Sequence, residues 1–396
     1  MDLKSLALAL KIENYPEKFE EIYAYTDLDS TDFCSIEAVE KFEAEYSAFG
    51  DQLPIAIKGA EDIINKPCLI AWGNIASEYL KSCTAEEAYA IPFPDDDLSP
   101  AGRTLRLFVL MSAVPRCIRS FKAHGFTEDE IFPTLKCFGT SIELVGLITG
   151  VYGIDKRYYN WILHYILCEM FDCGSLVFQF MKMPSPIVLL KNKQDQRHVI
   201  LMTEGSFHKS GQVLGTPGYT DKEGSYDADF SETDDAFIGR CAVEGNLLNE
   251  ISKYKKSEWE CVLRKDSLVV SVHIPRKTDL SRDVIKKSFS DAVKIINERF
   301  SEYDARYFFC LSWMLDFRYK DILGEDSKLV QFGNMFSRFP MKCTGRDGYG
   351  CLFLGYTGPD EDLPESTSLQ RKIKALYLSG GYTYSSVGII TDYPIN

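Results

Sequence analysis

The residues best placed to do chemistry lie where an apolar run meets a basic one. Val-Ser-Val-His-Ile-Pro, residues 270 to 275, closes a strand-like segment; Arg276, Lys277, Arg282, Lys286 and Lys287 then follow against only Asp279 and Asp283. Five cations and two carboxylates give residues 276 to 287 a net charge of +3, within a chain of −14. A helix starting near Ser281 would add unpaired backbone N–H groups and the positive end of its dipole. Such a junction suits an anion, and a phosphorylated ligand is the natural candidate. The alternative reading is that these lysines and arginines solvate an exposed helix face. His273 lies on the strand itself, and alternation gives it the face of Ser271 and Val269. Its ordinary pKa near neutrality suits a proton acceptor or a group that positions a ligand, although a half-buried, satisfied histidine has the same spacing.

A second candidate cluster is Ser312 to Asp316, at the end of another apolar run. Ligands of open α/β sheets bind beyond the carboxyl ends of strands, which draws Ser312 and Asp316 into consideration. An aspartate there also serves as a turn or cap residue. No Gly-x-x-x-x-Gly-Lys-Ser/Thr loop occurs, nor Gly-x-Gly-x-x-Gly after a predicted strand, nor a Gly-x-Ser-x-Gly elbow. Nucleotide hydrolysis and nucleophilic catalysis are therefore unsupported. Twelve cysteines contain no Cys-x-x-Cys pair, and Cys168 and Cys173 have no second pair or histidine at zinc spacing. They read as reduced core thiols, and no metal is expected.

These residues need elements to position them. The first 170 residues read as helical: Ile36, Val39, Phe42 and Tyr46 make one stripe over 35–49, and 54–81, 100–124 and 158–172 follow suit. Thr127–Glu130 has capping-box spacing, with Pro133 early in the helix behind it. At Gly174 the period becomes two, through 175–181 and again over 198–203. Residues 204 to 235 are rich in Gly, Ser, Thr and Asp, and predict a functional or flexible loop whose acidic run, 227 to 235, is solvated surface. Beyond Glu258 the sequence predicts paired strands at 259–263 and 267–274 turned at 264–266, a helix over 283–300 and a central strand at 307–315. A helix over 329–339, a strand at 351–356, a helix over 368–379 and a strand at 386–390 complete it. The fold class is α+β or α/β: an α-helical domain, 1–150, then a mixed-sheet domain, 151–396.

Net charge −14 disfavours nucleic acid and anionic membrane surfaces as partners. No run reaches 18 apolar residues without a charge, and the N-terminus lacks the pattern of a signal peptide. A cytoplasmic protein with a small-molecule partner is expected.

Four motifs in order carry a resemblance: Val-Ser-Val-His-Ile-Pro at 270, Phe-Phe-Cys-Leu-Ser-Trp-Met-Leu-Asp at 308, Leu-Val-Gln-Phe-Gly-Asn-Met-Phe at 329 and Leu-Pro-Glu-Ser-Thr-Ser-Leu-Gln-Arg at 363. The chain resembles a family of bacterial acyltransferases that join an N-terminal helical domain to a GNAT-like C-terminal domain. The resemblance is strongest from about Glu258 to Gly381. It implies acyl transfer from acyl-CoA, acetyl-CoA among them, to an amine. It further implies that His273 to Pro275 close the strand facing the cofactor, with Arg276, Ser281, Arg282 and Lys286 near its pyrophosphate. Ser312, Trp313 and Asp316 would line the neighbouring strand end, and later helices would supply Gln331, Gln370 and Arg371. His273 or Asp316 would accept the proton. One departure stands out: such enzymes carry an Arg/Gln-x-x-Gly-x-Gly/Ala loop, whereas Ile-Pro-Arg-Lys-Thr-Asp-Leu has no glycine. That absence favours the rival expectation, a non-catalytic ligand-binding or regulatory protein on a GNAT-like scaffold.

Overall fold

The computed structural model describes residues 1–94, 100–393 and 395. The chain forms two compact units, Met1–Phe171 and Asp172–Asn396.

The first unit is helical through Ile166, and prolines set its breaks. Ser35 caps Ile36–Tyr46 by accepting from the Ala38 N–H, and that helix buries Val39 and Phe42. The expected helix over 54–81 is two, Leu53–Ile63 and Pro67–Leu80, because Pro67 cannot donate to a continuing helix and instead starts a new one. Pro115 similarly separates Pro100–Ser112 from Val114–Ala123. The Thr127 capping box forms with Glu130, and Pro133 lies in a short 3-10 turn before Cys137–Thr149. Residues Glu128–Thr149 are long and apolar enough to cross a membrane, with mean hydropathy 1.4. Their Ile131, Leu135, Phe138, Ile142 and Val145 are nevertheless buried in the unit's own core. Lys156–Ile166 is the last helix of the first unit, which ends at Phe171.

A six-stranded sheet begins at the boundary, at Met170, and otherwise belongs to the second unit. Its strands are β1 (Met170–Cys173), β2 (Leu176–Lys182), β3 (Leu268–His273), β4 (Phe308–Ser312), β5 (Ser337–Phe339) and β6 (Ser386–Ile390), in the order β1-β2-β3-β4-β6-β5. Helix α1, Arg282–Arg299, covers one face. Phe289 of α1 is fully buried there, 5.8 Å from the ring of Phe178 and 5.0 Å from that of Phe308. The other face is covered by a second sheet ordered 259–264, 187–192, 198–202, 236–243 and 231–232, with 246–255 added on 236–243. Val269, Phe309, Val387, Ile389 and Phe339 of the first sheet share a core with Ile187, Leu189, Ile200 and Met202 of the second.

Several expectations are corrected. Trp259–Arg264 pairs with Ile187–Asn192, not with β3, which pairs antiparallel with β2 from Leu268–Lys182 to His273–Val177. The turn between them exists, with the Ser267 N–H donating to the Arg264 carbonyl at 3.1 Å and Asp266 at φ 67°, but it carries the chain from one sheet to the other. The expected helix over 329–339 is the helix Lys328–Gly333 followed by β5, and the 307–315 strand ends at Ser312 in a 3-10 turn. Residues 351–356 form no strand. Cys351 and Leu352 end the short helix Tyr349–Leu352, which starts after left-handed Gly348; Phe353 then turns into a cluster with Tyr377 before left-handed Gly355. The 204–235 segment contains short strands at Ser206–Phe207, Tyr226–Asp227 and Ser231–Glu232.

Truncating Phe289 removes the ring that joins α1 to β2 and β4. Phe289→Ala is expected to lower stability by about 3 to 5 kcal/mol, read from the midpoint of urea unfolding followed by near-ultraviolet circular dichroism.

Candidate functional site

The site begins with how β3 and β4 meet. They are parallel, and the ladder pairs Val270 with Phe308 and Ser271 with Phe309; among the described residues it goes no further. Each strand nevertheless continues in register with its outer neighbour, β3 to His273 opposite Val177 and β4 to Ser312 opposite Ser386. The carboxyl halves of the two strands therefore part and leave a notch. Leu311, inside β4 yet 48% exposed, marks the opening. On the same face Ser271 and Gln179 are buried and His273 is half-buried. His273 Nε2 lies 2.8 Å from Gln179 Oε1. With that oxygen accepting, Nε2 of the ring carries a proton.

Beyond the notch runs the loop 274–281. Without glycine, it takes its left-handed turn at Lys277, φ 67°, where the Pro275 carbonyl accepts from Thr278 Oγ1 at 2.6 Å and from the Thr278 N–H at 3.2 Å. Ser281 is the N-cap of α1 but makes no side-chain capping bond. Its N–H and hydroxyl donate to the Asp279 carboxylate at 3.0 and 2.8 Å, and Lys328 Nζ donates to the same carboxylate at 2.8 Å. The Lys328 ammonium, then the Ser281 hydroxyl and N–H, hold the Asp279 carboxyl down at about 2, below its usual 3.8. Pro275, Arg276, Lys277, Arg282 and Lys286 are exposed around this loop. An open cleft of about 350 Å³ lies between Thr278–Leu280, Ser327–Leu329 and Ser368–Leu369.

The other expected residues fall into two groups. Ser312 Oγ accepts from the Met314 N–H at 3.1 Å, and Trp313 lies edge-on to Tyr319. Asp316 is buried and accepts from Arg318 Nε at 2.8 Å, from Arg318 Nη2 at 2.5 Å and from the Tyr384 N–H at 3.2 Å. Gln370 closes a capping box with Thr367 and donates to the Leu352 carbonyl; Arg371 donates to the Glu365 carbonyl at 2.8 Å, and Gln331 is exposed. So the structure brings His273 close to Gln179, and Ser281 close to Asp279 and Lys328. Gln331 and Arg371 stand on the helices that border the 350 Å³ cleft.

A model of the GNAT-like C-terminal domain matches residues 170–390, more than half of the chain. The chain belongs to that family. Its helical first unit and mixed-sheet second unit have the arrangement expected from the resemblance. Among curated proteins nothing matches. Solved structures with the same fold include an acyltransferase in complex with decanoyl-CoA, 16% identical with a TM-score of 0.63, covering 98% of this chain and 99% of that one. Another is an acyltransferase mutant in complex with octanoyl-CoA, 15% identical, TM-score 0.62, with the same coverage. A third is an acyltransferase in complex with decanoyl-CoA and teicoplanin, 15% identical, TM-score 0.60, covering all of both chains.

Within the GNAT-like domain three residues escaped the sequence reading. Gln179 left a signal, a lone amide in Leu-Val-Phe-Gln-Phe-Met, but Leu311 and Lys328 left none, since exposure inside a strand and an ion pair across 49 residues are invisible in spacing.

Two expectations follow. A carboxyl held low contributes its bond above its unfolded pKa and loses it as pH falls through the folded value, so the Asp279–Ser281–Lys328 contact is expected to persist to pH 4 and open between about 3.8 and about 2. NMR titration of the Asp279 carboxyl should show a midpoint near 2 that Lys328→Met moves back toward 3.8. Removing the buried Asp316 strands the Arg318 guanidinium; Asp316→Ala is expected to cost about 3 kcal/mol in urea unfolding.

Proposed function

We propose that the protein is an N-acyltransferase that moves an acyl group from acyl-CoA to an amine. The parting of β3 and β4 carries this reading. It leaves edge N–H and C=O groups inside a folded sheet, where an extended, amide-bearing chain such as pantetheine can take the place of a strand. The loop 275–281 with Arg282 and Lys286 then lies on the pyrophosphate side. The acyl group lies over Leu311, in the row of Val387 and Phe339 across the sheet. Phe339 lines a pocket of about 300 Å³ with Met202, Phe207 and Met341, enough room for an apolar chain. The octanoyl and decanoyl groups carried by the neighbouring structures favour a chain of that kind.

The reaction needs little covalent help from the protein. The neutral amine attacks the thioester carbonyl, the C–N bond forms, the C–S bond breaks, and CoA leaves as the thiolate. The His273 ring takes the proton the amine loses and the thiolate recovers one, so the balance closes without a further reactant. His273 is preferred to Asp316 for this step because Asp316 is already committed to Arg318 and to the Tyr384 N–H. Positioning supplies most of the acceleration, and edge N–H groups at the notch would face the developing oxyanion.

Titration calorimetry with acetyl-CoA and octanoyl-CoA tests the reading. Binding is expected, tighter for octanoyl-CoA, and weakened about fivefold by Arg282→Glu at low salt. His273→Ala should lower kcat about 100-fold with the acyl-CoA affinity unchanged. Absence of heat with both thioesters overturns the proposal, and binding without turnover across an amine panel leaves the regulatory rival, which the glycine-free loop favours.

A further inference from the structure

Tyr382 is 42% exposed, yet its ring is held at both edges. A methyl group on Gly345 would lie 2.9 Å from its Cδ1, and one on Gly218 3.3 Å from its Cδ2. Both glycines have left-handed φ, +84° and +83°, so neither position readily accepts a side chain. Beside it stands Tyr384, buried, whose hydroxyl donates to the Pro217 carbonyl at 2.6 Å. The Tyr384 ring is 6.2 Å from that of Tyr382 and 5.6 Å from that of half-buried Tyr219. The Arg318 guanidinium, fixed by Asp316, stacks 3.5 Å from the Tyr384 centroid.

A clamp of this kind adds little to the core, because Tyr382 stays exposed. What it does is order an aromatic face in advance, so that a ligand need not pay for ordering it. The place is also informative. Tyr384 bonds Asp316 just past β4, and Ser386, two residues on, pairs with Ser312. The platform thus stands at the end of the sheet where the notch opens. Aromatic faces of this sort hold the flat faces of other rings, aryl or sugar, and offer a linear alkyl chain far less.

We propose that Tyr382, backed by Tyr384, stacks the ring of the acyl acceptor, which is therefore an amine carried on a ring. The word acceptor rests on the acyl-transfer reading; ring binding does not. The acidic chain attracts such an amine in its ammonium form during encounter.

Saturation-transfer NMR on the full chain, with glucosamine and benzylamine as ring probes and n-hexylamine as the linear control, tests this without turnover. At least one ring probe is expected to bind more tightly than hexylamine, and which of the two does so separates sugar from aryl. Tyr382→Ala should weaken that probe about tenfold, Tyr382→Phe should retain it, and octanoyl-CoA binding should stay unchanged in both. Equal binding of all three amines, no ring binding, or full binding by the alanine variant overturns the proposal. So does a dimer that Tyr382→Ala dissociates in sedimentation, which would make the platform an interface between copies. Ring binding lost in Tyr382→Ala, with no acyl transfer to any amine, upholds the platform and sinks the acyl-transfer reading alone.

Discussion

A parallel pair of strands held together at one end only and drawn apart at the other imposes a demand on everything around it. The carboxyl halves of β3 and β4 leave part of their backbone hydrogen bonding to be satisfied outside the sheet. They can stay apart because each is anchored outward, β3 by six register pairs with β2 and β4 by five with β6. Below, α1 fastens both halves through Phe289, which touches β2 and β4 alike. Above, the second sheet covers Val269, Phe309, Val387 and Ile389 but leaves Leu311 in water. The opening is thus a property of the whole domain rather than of a loop.

Much of this arrangement was legible in the sequence because burial writes itself into periodicity. The strands 268–273 and 386–390 and the helix 282–299 each bury one face or both, and their residues show it. The strand-to-helix junction at residues 270 to 275 was visible for the same reason. What escaped was pairing. Trp259–Arg264 and Leu268–His273 look like a hairpin because a tight turn joins them, yet a turn fixes only direction, and the antiparallel partner of each strand comes from a segment about 67 to 96 residues earlier in the chain. The hairpin of 236–243 and 246–255 turns at Glu244-Gly245, both at positive φ, where asparagine rather than glutamate is the usual signal.

The candidate site was legible by position and less so by role. His273 stood out because histidine is scarce in the chain and this one ends a strand, but its Nε2 bond depends on Gln179, on the neighbouring strand and 94 residues away. Asp316 looked equally able to accept a proton until its surroundings were known. A buried carboxylate bound by a guanidinium and a backbone N–H is a structural anchor, and here it fixes the Arg318 fork on Tyr384.

The glycine-free loop sharpens the electrostatic argument. Residues 276–287 count to +3, but charge that is paired is not offered to a ligand. Lys287 is engaged with Asp291, and Asp279 is neutralised by Lys328 from outside the window. The exposed side chains of Lys277, Arg282 and Lys286 then dominate what a phosphate meets. A glycine at 277 would relax the left-handed turn, by about 1 kcal/mol, at the expense of one of those cations. A loop that lacks glycines to cradle a pyrophosphate with its backbone can instead hold it with side chains. Such binding should depend more steeply on salt than a backbone cradle does, because the charges responsible stand in water.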